Sequence, residues 1–388
     1  MADASRVFPA DEHRARVAAL QEGMAADGLD ALLLSTAADV FYVSGFLTRF
    51  WESPTRPWFV VVPASSAPIA VIPAIGETLM RRTWIADIRT WDAPDPVDDG
   101  VSLLVETLAS VVPEQGRVGL PAGPETQVRM PLTDFRKLES GLAPRKFVDA
   151  TGVVCRVREV KSEAEIDRIR ATCAVADRAF ARVPEIAAPG RSLADVFRGF
   201  QIALLEEGAD WVSYLAGGAG PEGYSDVISP ADNRPLATGN VMMLDTGAVR
   251  DGYFCDFDRN FAIGLPSDAA SRAHAALHAA TEAALSALRP GLQARDVHRL
   301  LVDGLRDNGA LPCGGRLGHG LGLALTEWPS FTPKDETVLR AGMVLTLEPA
   351  AEVAPGRILV HEENLVLREH GAELLSARTP AELPVIGP

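Results

Sequence analysis

Asp245, Asp256 and Asp258 fall in one stretch, V-M-M-L-D-T-G-A-V-R-D-G-Y-F-C-D-F-D-R-N-F-A-I-G, over residues 241–264. Asp251-Gly252 is a turn signal between two apolar runs, so the stretch predicts a β-hairpin. With a two-residue loop at 251 and 252, Asp245 faces Asp258, and Asp256 points to the same side two residues away. A register shifted by two residues pairs Asp245 with Asp256 and keeps the same three carboxylates on that face. Beside Met242, Leu244 and Phe257 such a cluster is unfavourable, because each charge raises the others' pKa and resists desolvation. A cation removes the penalty; a solvated face on an edge hairpin avoids it.

Further along, Gly318-His319-Gly320-Leu321-Gly322 sets one imidazole among glycines, where backbone and ligand can approach closely. A hydrogen-bonded loop histidine would explain that string equally well if it stood alone. Glu348 in M-V-L-T-L-E-P and the pair Glu362-Glu363 in I-L-V-H-E-E-N-L-V-L lie in runs otherwise made largely of Val, Leu and Ile. Buried strands rarely carry glutamate without a partner. A two-residue loop at Pro355-Gly356 sets Glu348 opposite Glu363, whereas a three-residue loop sets it opposite Glu362, so strand parity leaves the last glutamate open. An oxygen-rich set with one imidazole suits Mn²⁺, Zn²⁺, Co²⁺ or Fe²⁺ better than a thiolate site does, and it holds enough carboxylates to bridge two ions. Ions paired about 3.5 to 4 Å apart acidify a bridging water and polarise a carbonyl, an arrangement suited to hydrolysis of an amide.

Helices and strands must bring these distant residues together. Residues 11–28 carry Val17, Leu20 and Met24 at helical spacing, and Ala31–Leu34, 58–62, 69–72 and Arg117–Leu120 read as short buried strands, which predicts an α/β domain over 1–155. Ser162 and Glu165 form a capping box opening a helix with Ile166, Ile169, Cys173 and Ala176 on one face, so a second domain is expected over 156–388. Within it Pro189-Gly190, Asp195-Val196, Arg198, Leu204 and Gly208 recur 101 residues later as Pro290-Gly291, Asp296-Val297, Arg299, Leu305 and Gly309. That offset is too long for a solenoid and predicts a duplicated unit of helices followed by a hairpin, with pseudo-two-fold symmetry and ligands drawn from both halves.

The whole chain, 388 residues, suits two domains at about 100 to 200 residues each. Its 37 Lys+Arg against 52 Asp+Glu give a net charge of −15, which disfavours nucleic acid and anionic membrane surfaces and favours a small substrate. Residues 1–16 show no apolar stretch of signal-peptide type, and the apolar segment 59–76 is broken by Pro63, Pro68 and Pro73, so a cytoplasmic protein is expected. Cys155, Cys173, Cys255 and Cys313 lack CxxC spacing and read as reduced thiols, with Cys255 facing the core beside Asp256.

The order Asp245, Asp256, His319, Glu348, Glu362, in the strings D-T-G-x-x-x-x-G-Y-x-x-D, G-H-G-L-G-L and L-E-P, resembles the M24 metallopeptidase family of methionine aminopeptidase, aminopeptidase P, prolidase and creatinase. The resemblance covers residues ~155–370, and the preceding α/β domain is similar in size to that of prolidases and creatinases. It implies a pita-bread C-terminal domain, two divalent metals per chain in the peptidase members, and commonly a homodimer. It also implies that Glu362 is the last ligand, with Glu363 its acidic neighbour. On the same footing Asp256 and Glu362 would bridge both ions, Asp245 would chelate one, and His319 with Glu348 would hold the other. Glu348 would also shuttle the proton of the attacking water.

Three departures qualify that picture. Where the peptidases carry a second histidine in a string like H-E-x-P, this chain has Thr326-Glu327-Trp328-Pro329, and Tyr224-Ser225-Asp226-Val227-Ile228 lacks the family's other substrate histidine. Asp258 stands where the family usually has threonine, as an extra ligand or as a partner for Arg259. Dipeptide or peptide-like hydrolysis, Xaa-Pro included, is the leading expectation; a creatinase-like reaction on a small zwitterion and a silent binding module are the alternatives. Arg49, Trp51, Arg56, Arg316 and Thr326 are the candidates for contacting substrate, with Arg-on-Trp stacking the competing role for the first three. His274, His278 and His298 read as helix-surface residues.

Overall fold

The helix Ala10–Asp27 stops at Gly28, whose left-handed φ of 65° returns the chain into β1 (Ala31–Leu34), a strand buried at every position. This computed structural model describes residues 8–53 and 56–387. The first of its two units, Met1–Arg158, continues with β2 (Phe59–Pro63), β3 (Ile69–Pro73), β4 (Asp87–Trp91), β5 (Arg117–Leu120) and β6 (Lys146–Asp149). They form one sheet in the order β4-β3-β2-β1-β5-β6, with β1, β2 and β3 paired antiparallel and the outer pairs parallel. Leu104 and Leu108 of one helix and Leu138 and Leu142 of another close the core against Leu33, Phe59, Val61 and Val71. The two edge strands escape a search for apolar runs because each carries charged, partly exposed residues, as edges commonly do.

The second unit, Glu159–Pro388, opens with the helix Glu163–Ala181, and the Ser162–Glu165 capping box is formed. Its strands are β7 (Trp211–Pro221), β8 (Asn240–Arg250), β9 (Tyr253–Phe254), β10 (Phe257–Ile263), β11 (Leu311–Cys313), β12 (His319–Gly320), β13 (Glu327–Ser330), β14 (Val344–Leu347), β15 (Ala350–Ala354), β16 (Arg357–Val360), β17 (Glu363–Arg368), β18 (Gly371–Leu374) and β19 (Val385–Ile386). Two sheets matter here, β19-β10-β8-β7 with β9 on β8, and β13-β12-β14-β17-β18.

Sequence repetition becomes repeated structure. The helices Leu193–Glu206 and Ala294–Asp307 are preceded by Gly190 and Gly291, with φ of 85° and 97°. Gly190 N–H donates to the Leu236 carbonyl at 2.7 Å and Gly291 N–H to the Leu339 carbonyl at 2.8 Å. The isolated bridges Ser192 to Pro235 and Gln293 to Val338 complete the match.

The first hairpin has the expected register, Asp245 opposite Asp258, because Asp251 and Gly252 both take positive φ and make a two-residue turn that suits the strand twist. The last hairpin combines features of both loop lengths. Ala354 pairs Arg357 across a two-residue turn, then a bulge between Glu352 and Ala354 shifts the register by one, and Leu347 comes to face Glu363. Glu348 therefore stands level with Glu362. Pro349 has no N–H for a ladder, and the hairpin crosses there from the β14–β17 pair to the β15–β16 pair.

β7 can lie close to β8 because Gly217, at φ 142°, presents no side chain; a Cβ there would fall 2.1 Å from the Met243 carbonyl oxygen. Gly217→Ala is expected to destabilise the protein by about 2 kcal/mol or more, read as a lower urea midpoint.

Candidate metal centre

Every carboxylate of the centre sits where a ladder starts, stops or faces its counterpart. Asp245 on β8 opposes Asp258 on β10, and Asp256 occupies the gap between β9 and β10. Cys255 and Phe257 turn inward on the other face and are fully buried, so alternation delivers Asp256 and Asp258 to one side. From the second sheet come His319 on β12, Glu348 after the end of β14 and Glu362 ahead of β17.

Asp256, His319 and Glu362 are all buried, and each offers a ligand atom within 4.8 Å of the other two. His319 Nδ1 lies 2.8 Å from the Gly320 carbonyl, which can only accept, so Nδ1 carries the proton and Nε2 presents its lone pair. That nitrogen faces Asp256 Oδ2 at 3.3 Å. Two lone pairs pointed at each other repel unless a proton or a metal cation lies between them. Asp245 Oδ1, Asp258 Oδ2 and Glu362 Oε1 are buried without a hydrogen-bond partner among the described residues.

The electrostatics agree with the geometry. Burial, then the charges of Asp256 and Glu348, pushes the Asp245 carboxyl well above its ordinary range, against a hydrogen bond from Tyr214. Burial and Glu348 do the same to Asp256, with Arg316 opposing. Burial first and neighbouring carboxylates second raise Asp258 and Glu362 as well. Glu348 is raised by burial, with His319 and Arg316 pulling it back. Orphaned oxygens, an aimed imidazole nitrogen and mutually repelling carboxylates fit a site for divalent cations bound by oxygen and nitrogen.

Glu363, a candidate extra ligand by sequence, turns away. It accepts from Arg259 at 3.0 Å, Arg378 at 3.0 Å, Ser376 at 2.5 Å and the Thr379 N–H at 2.8 Å. Burial alone would raise its pKa, but Arg259, His361 and Ser376 outweigh burial and hold it far below the carboxylate range. Arg259 is thereby committed to Glu363 and to the carbonyls of Asp258 and Glu362, so the expected alternative of a pair with the Asp258 carboxylate is not formed.

Arg316 is exposed, yet its charge reaches Asp256 and Glu348. Thr326 is half-buried in the loop between β12 and β13. That loop is held by Glu327, which accepts the Leu323 and Ala324 N–H groups at 2.9 and 3.1 Å and pairs with buried Lys161 at 3.0 Å. Arg49, Trp51 and Arg56 belong to the first unit and are engaged there: Arg49 pairs with Glu52, and Arg56 lies 5.0 Å from the Phe50 ring. The arginine stacked on Trp51, at 5.1 Å, is Arg129, a residue the sequence did not single out. His274 is not a surface residue; it is buried, bonded to the Pro380 carbonyl at 2.9 Å and stacked on His361 at 6.0 Å. His278, half-buried, stacks on His361 too, at 6.2 Å, and His298 is partly exposed. Tyr214 and Asn364 escape the sequence reading, because their roles depend on long-range pairing that no local motif announces.

Comparison with known proteins finds relatives along nearly the whole chain. Residues 167–369 match the model of metallopeptidase family M24, and residues 16–160 match the creatinase/prolidase N-terminal domain. A Mycobacterium tuberculosis protein named probable dipeptidase PepE is 31% identical over 98% of this chain and 99% of its own length. The crystal structure of dipeptidase PepE from Mycobacterium ulcerans is similar with a TM-score of 0.84 at 30% identity, covering 98% of this chain and 99% of that one. An Xaa-Pro dipeptidase of Pyrococcus horikoshii is 24% identical over 95% of this chain and 98% of its length.

If like charges without a cation strain this centre, Asp245→Asn, which removes one of the mutually repelling carboxylates, should raise the stability of chelator-treated protein by on the order of 1 kcal/mol. It should also shrink the stabilisation that added Mn²⁺ gives. Thermal unfolding with and without Mn²⁺ reads both effects.

Proposed function

This chain belongs to metallopeptidase family M24, and from that premise we propose that it is a dipeptidase whose two divalent ions are held by Asp245, Asp256, His319, Glu348 and Glu362. The observation carrying this reading is the buried trio Asp256, His319 and Glu362, with carboxylate oxygens left unpartnered beside it. When bound, such a pair of ions supplies an acidified water and a polarised carbonyl.

The chain's own groups do the remaining work. Glu348, half-buried like Asp245, acts as the base: its carboxylate takes the proton of the attacking water and returns it to the leaving amide nitrogen. Its raised affinity for a proton, from burial, suits that exchange. The Tyr214 hydroxyl faces Asp245 and favours its charged form against the effect of burial. We assign Asp258 as a further oxygen donor, since Arg259 is spent elsewhere and Asp258 Oδ2 is unpartnered. Arg316, exposed and within electrostatic reach of the cluster, is our choice for the substrate's carboxylate, and Thr326 lies in the loop where the outer histidine would stand. A reducing, cytoplasmic setting is supported by four cysteines carried as free thiols, and no helix among the described residues is long and apolar enough to cross a membrane.

Mn²⁺-loaded protein is expected to release amino acids from a dipeptide panel spanning Xaa-Pro and non-proline sequences. Glu348→Gln should lower kcat by roughly 10² to 10⁴. A wild type that binds two ions per chain and cleaves no dipeptide contradicts the proposal and moves the search to small non-peptide amides.

A further inference from the structure

The two hairpins that carry the carboxylates run side by side without a backbone ladder between them. β10's ladder neighbours are β8 and, at Ala262 and Ile263, β19; β17's are β14 and β18. Yet three contacts step along the gap by two residues at a time, in antiparallel sense: Asp256 with Asn364, Asp258 with Glu362, Asn260 with Val360. Each is made by a side chain reaching a backbone group. The Glu362 N–H donates to Asp258 Oδ1 at 3.2 Å, and Asn260 Nδ2 donates to the Val360 carbonyl at 2.6 Å. The Asp256 N–H donates to Asn364 Oδ1 at 2.9 Å, and Asn364 Nδ2 donates to the Asp256 carbonyl.

The last contact differs from the others in kind. Asp256 lies in the break between β9 and β10, where the Cys255 N–H is the group that turns to the Ala248 carbonyl of β8. By alternation, both backbone polar groups of Asp256 point across the gap. A carboxamide carries the same donor and acceptor as a peptide unit, so Asn364 replaces one residue of an absent strand. Asn364 is itself fully buried and fixed: its N–H donates to Ser376 Oγ at 3.1 Å, its carbonyl accepts the Leu375 N–H at 2.8 Å, and Cys173 Sγ lies 3.4 Å from its Oδ1. It stands two residues from Glu362 on the same strand edge.

We propose that Asn364 is the positioning residue that sets the spacing between Asp256 and Glu362, and so the capacity of the centre to hold its ions. The proposal rests on the reading of Asp256 and Glu362 as metal ligands. Asp256 comes from the first repeat and Glu362 from the second; Asn364 ties the backbone of one to the strand of the other. A side chain serving only the core would contribute to folding and leave metal affinity untouched.

The experiment is Mn²⁺ titration of the chelator-stripped full-length protein by calorimetry, with Tm measured before and after Mn²⁺ addition. Asn364→Leu, of similar shape and without polar atoms, is expected to weaken binding of at least one ion by roughly 10- to 100-fold and to reduce the Mn²⁺-induced rise in Tm. If leucine is not tolerated, Asn364→Ser, too short to reach both Asp256 groups, takes its place with a loss of about tenfold or more. A variant with lower apo Tm and unchanged Mn²⁺ affinity overturns the positioning role. Glu362→Gln separates the two claims. If wild type takes up no Mn²⁺, or Glu362→Gln binds it as tightly as wild type, the metal reading itself fails; if Glu362→Gln loses affinity and the Asn364 variants do not, only the role of Asn364 fails.

Discussion

Carboxylates crowded into a buried space, with oxygens that nothing among the described residues satisfies, are the constraint on which the C-terminal unit turns. Isolated buried charge is costly, yet the protein keeps Asp256 and Glu362 within reach of the His319 imidazole and leaves oxygens of Asp245, Asp258 and Glu362 without a partner among the described residues. The adjacent Glu363 shows what the chain does with a buried carboxylate that serves structure: it surrounds the group with two arginines, a hydroxyl and a backbone N–H. Among the described residues no such donor meets Asp245 Oδ1, Asp258 Oδ2 or Glu362 Oε1. Neighbouring residues with opposite treatment mark the difference between a structural ion network and a site built for a cation.

The architecture follows from the need to assemble that charge from two repeats. Each repeat supplies a hairpin that begins after a glycine with positive φ, at Gly239 and Gly342, and each contributes one acidic residue midway along its first strand or just past its end, Asp245 and Glu348. Strand breaks at Asp256 and Pro349 free Asp256, Glu348 and Glu362, the proposed ligands, from the regular ladder. The cost is exposed backbone at the seam, which Asn260, Asp258, Asn364 and Arg259 cover with side chains. Function and folding thus meet along one line of residues.

Much of this is legible in the sequence, for identifiable reasons. Asp251-Gly252 dictates a two-residue turn, so the Asp245–Asp258 register follows from residue types alone. The last hairpin cannot be read that way, because a bulge at Glu352–Ala354 changes the parity that its turn alone would set. The resemblance to M24 proteins points to Glu362, and the donors around Glu363 give that choice a physical basis. His274 is misread because alanine neighbours suit a surface helix as well as a buried one, and its partner His361 comes from a distant strand end. Tyr214 lies on a glycine-rich strand whose pairing is non-local, and Asn364 matters only because Asp256 lacks a strand beside it.

Whether the unsatisfied oxygens mark the seat of two divalent ions is tested most directly by anomalous X-ray diffraction from Mn²⁺-soaked crystals. Two anomalous peaks are expected, about 3.5 to 4 Å apart, bounded by Asp245, Asp256, His319, Glu348 and Glu362, with Glu363 still turned to Arg259. Crystals that show no peak there, or ions bound only at exposed carboxylates elsewhere, would contradict it.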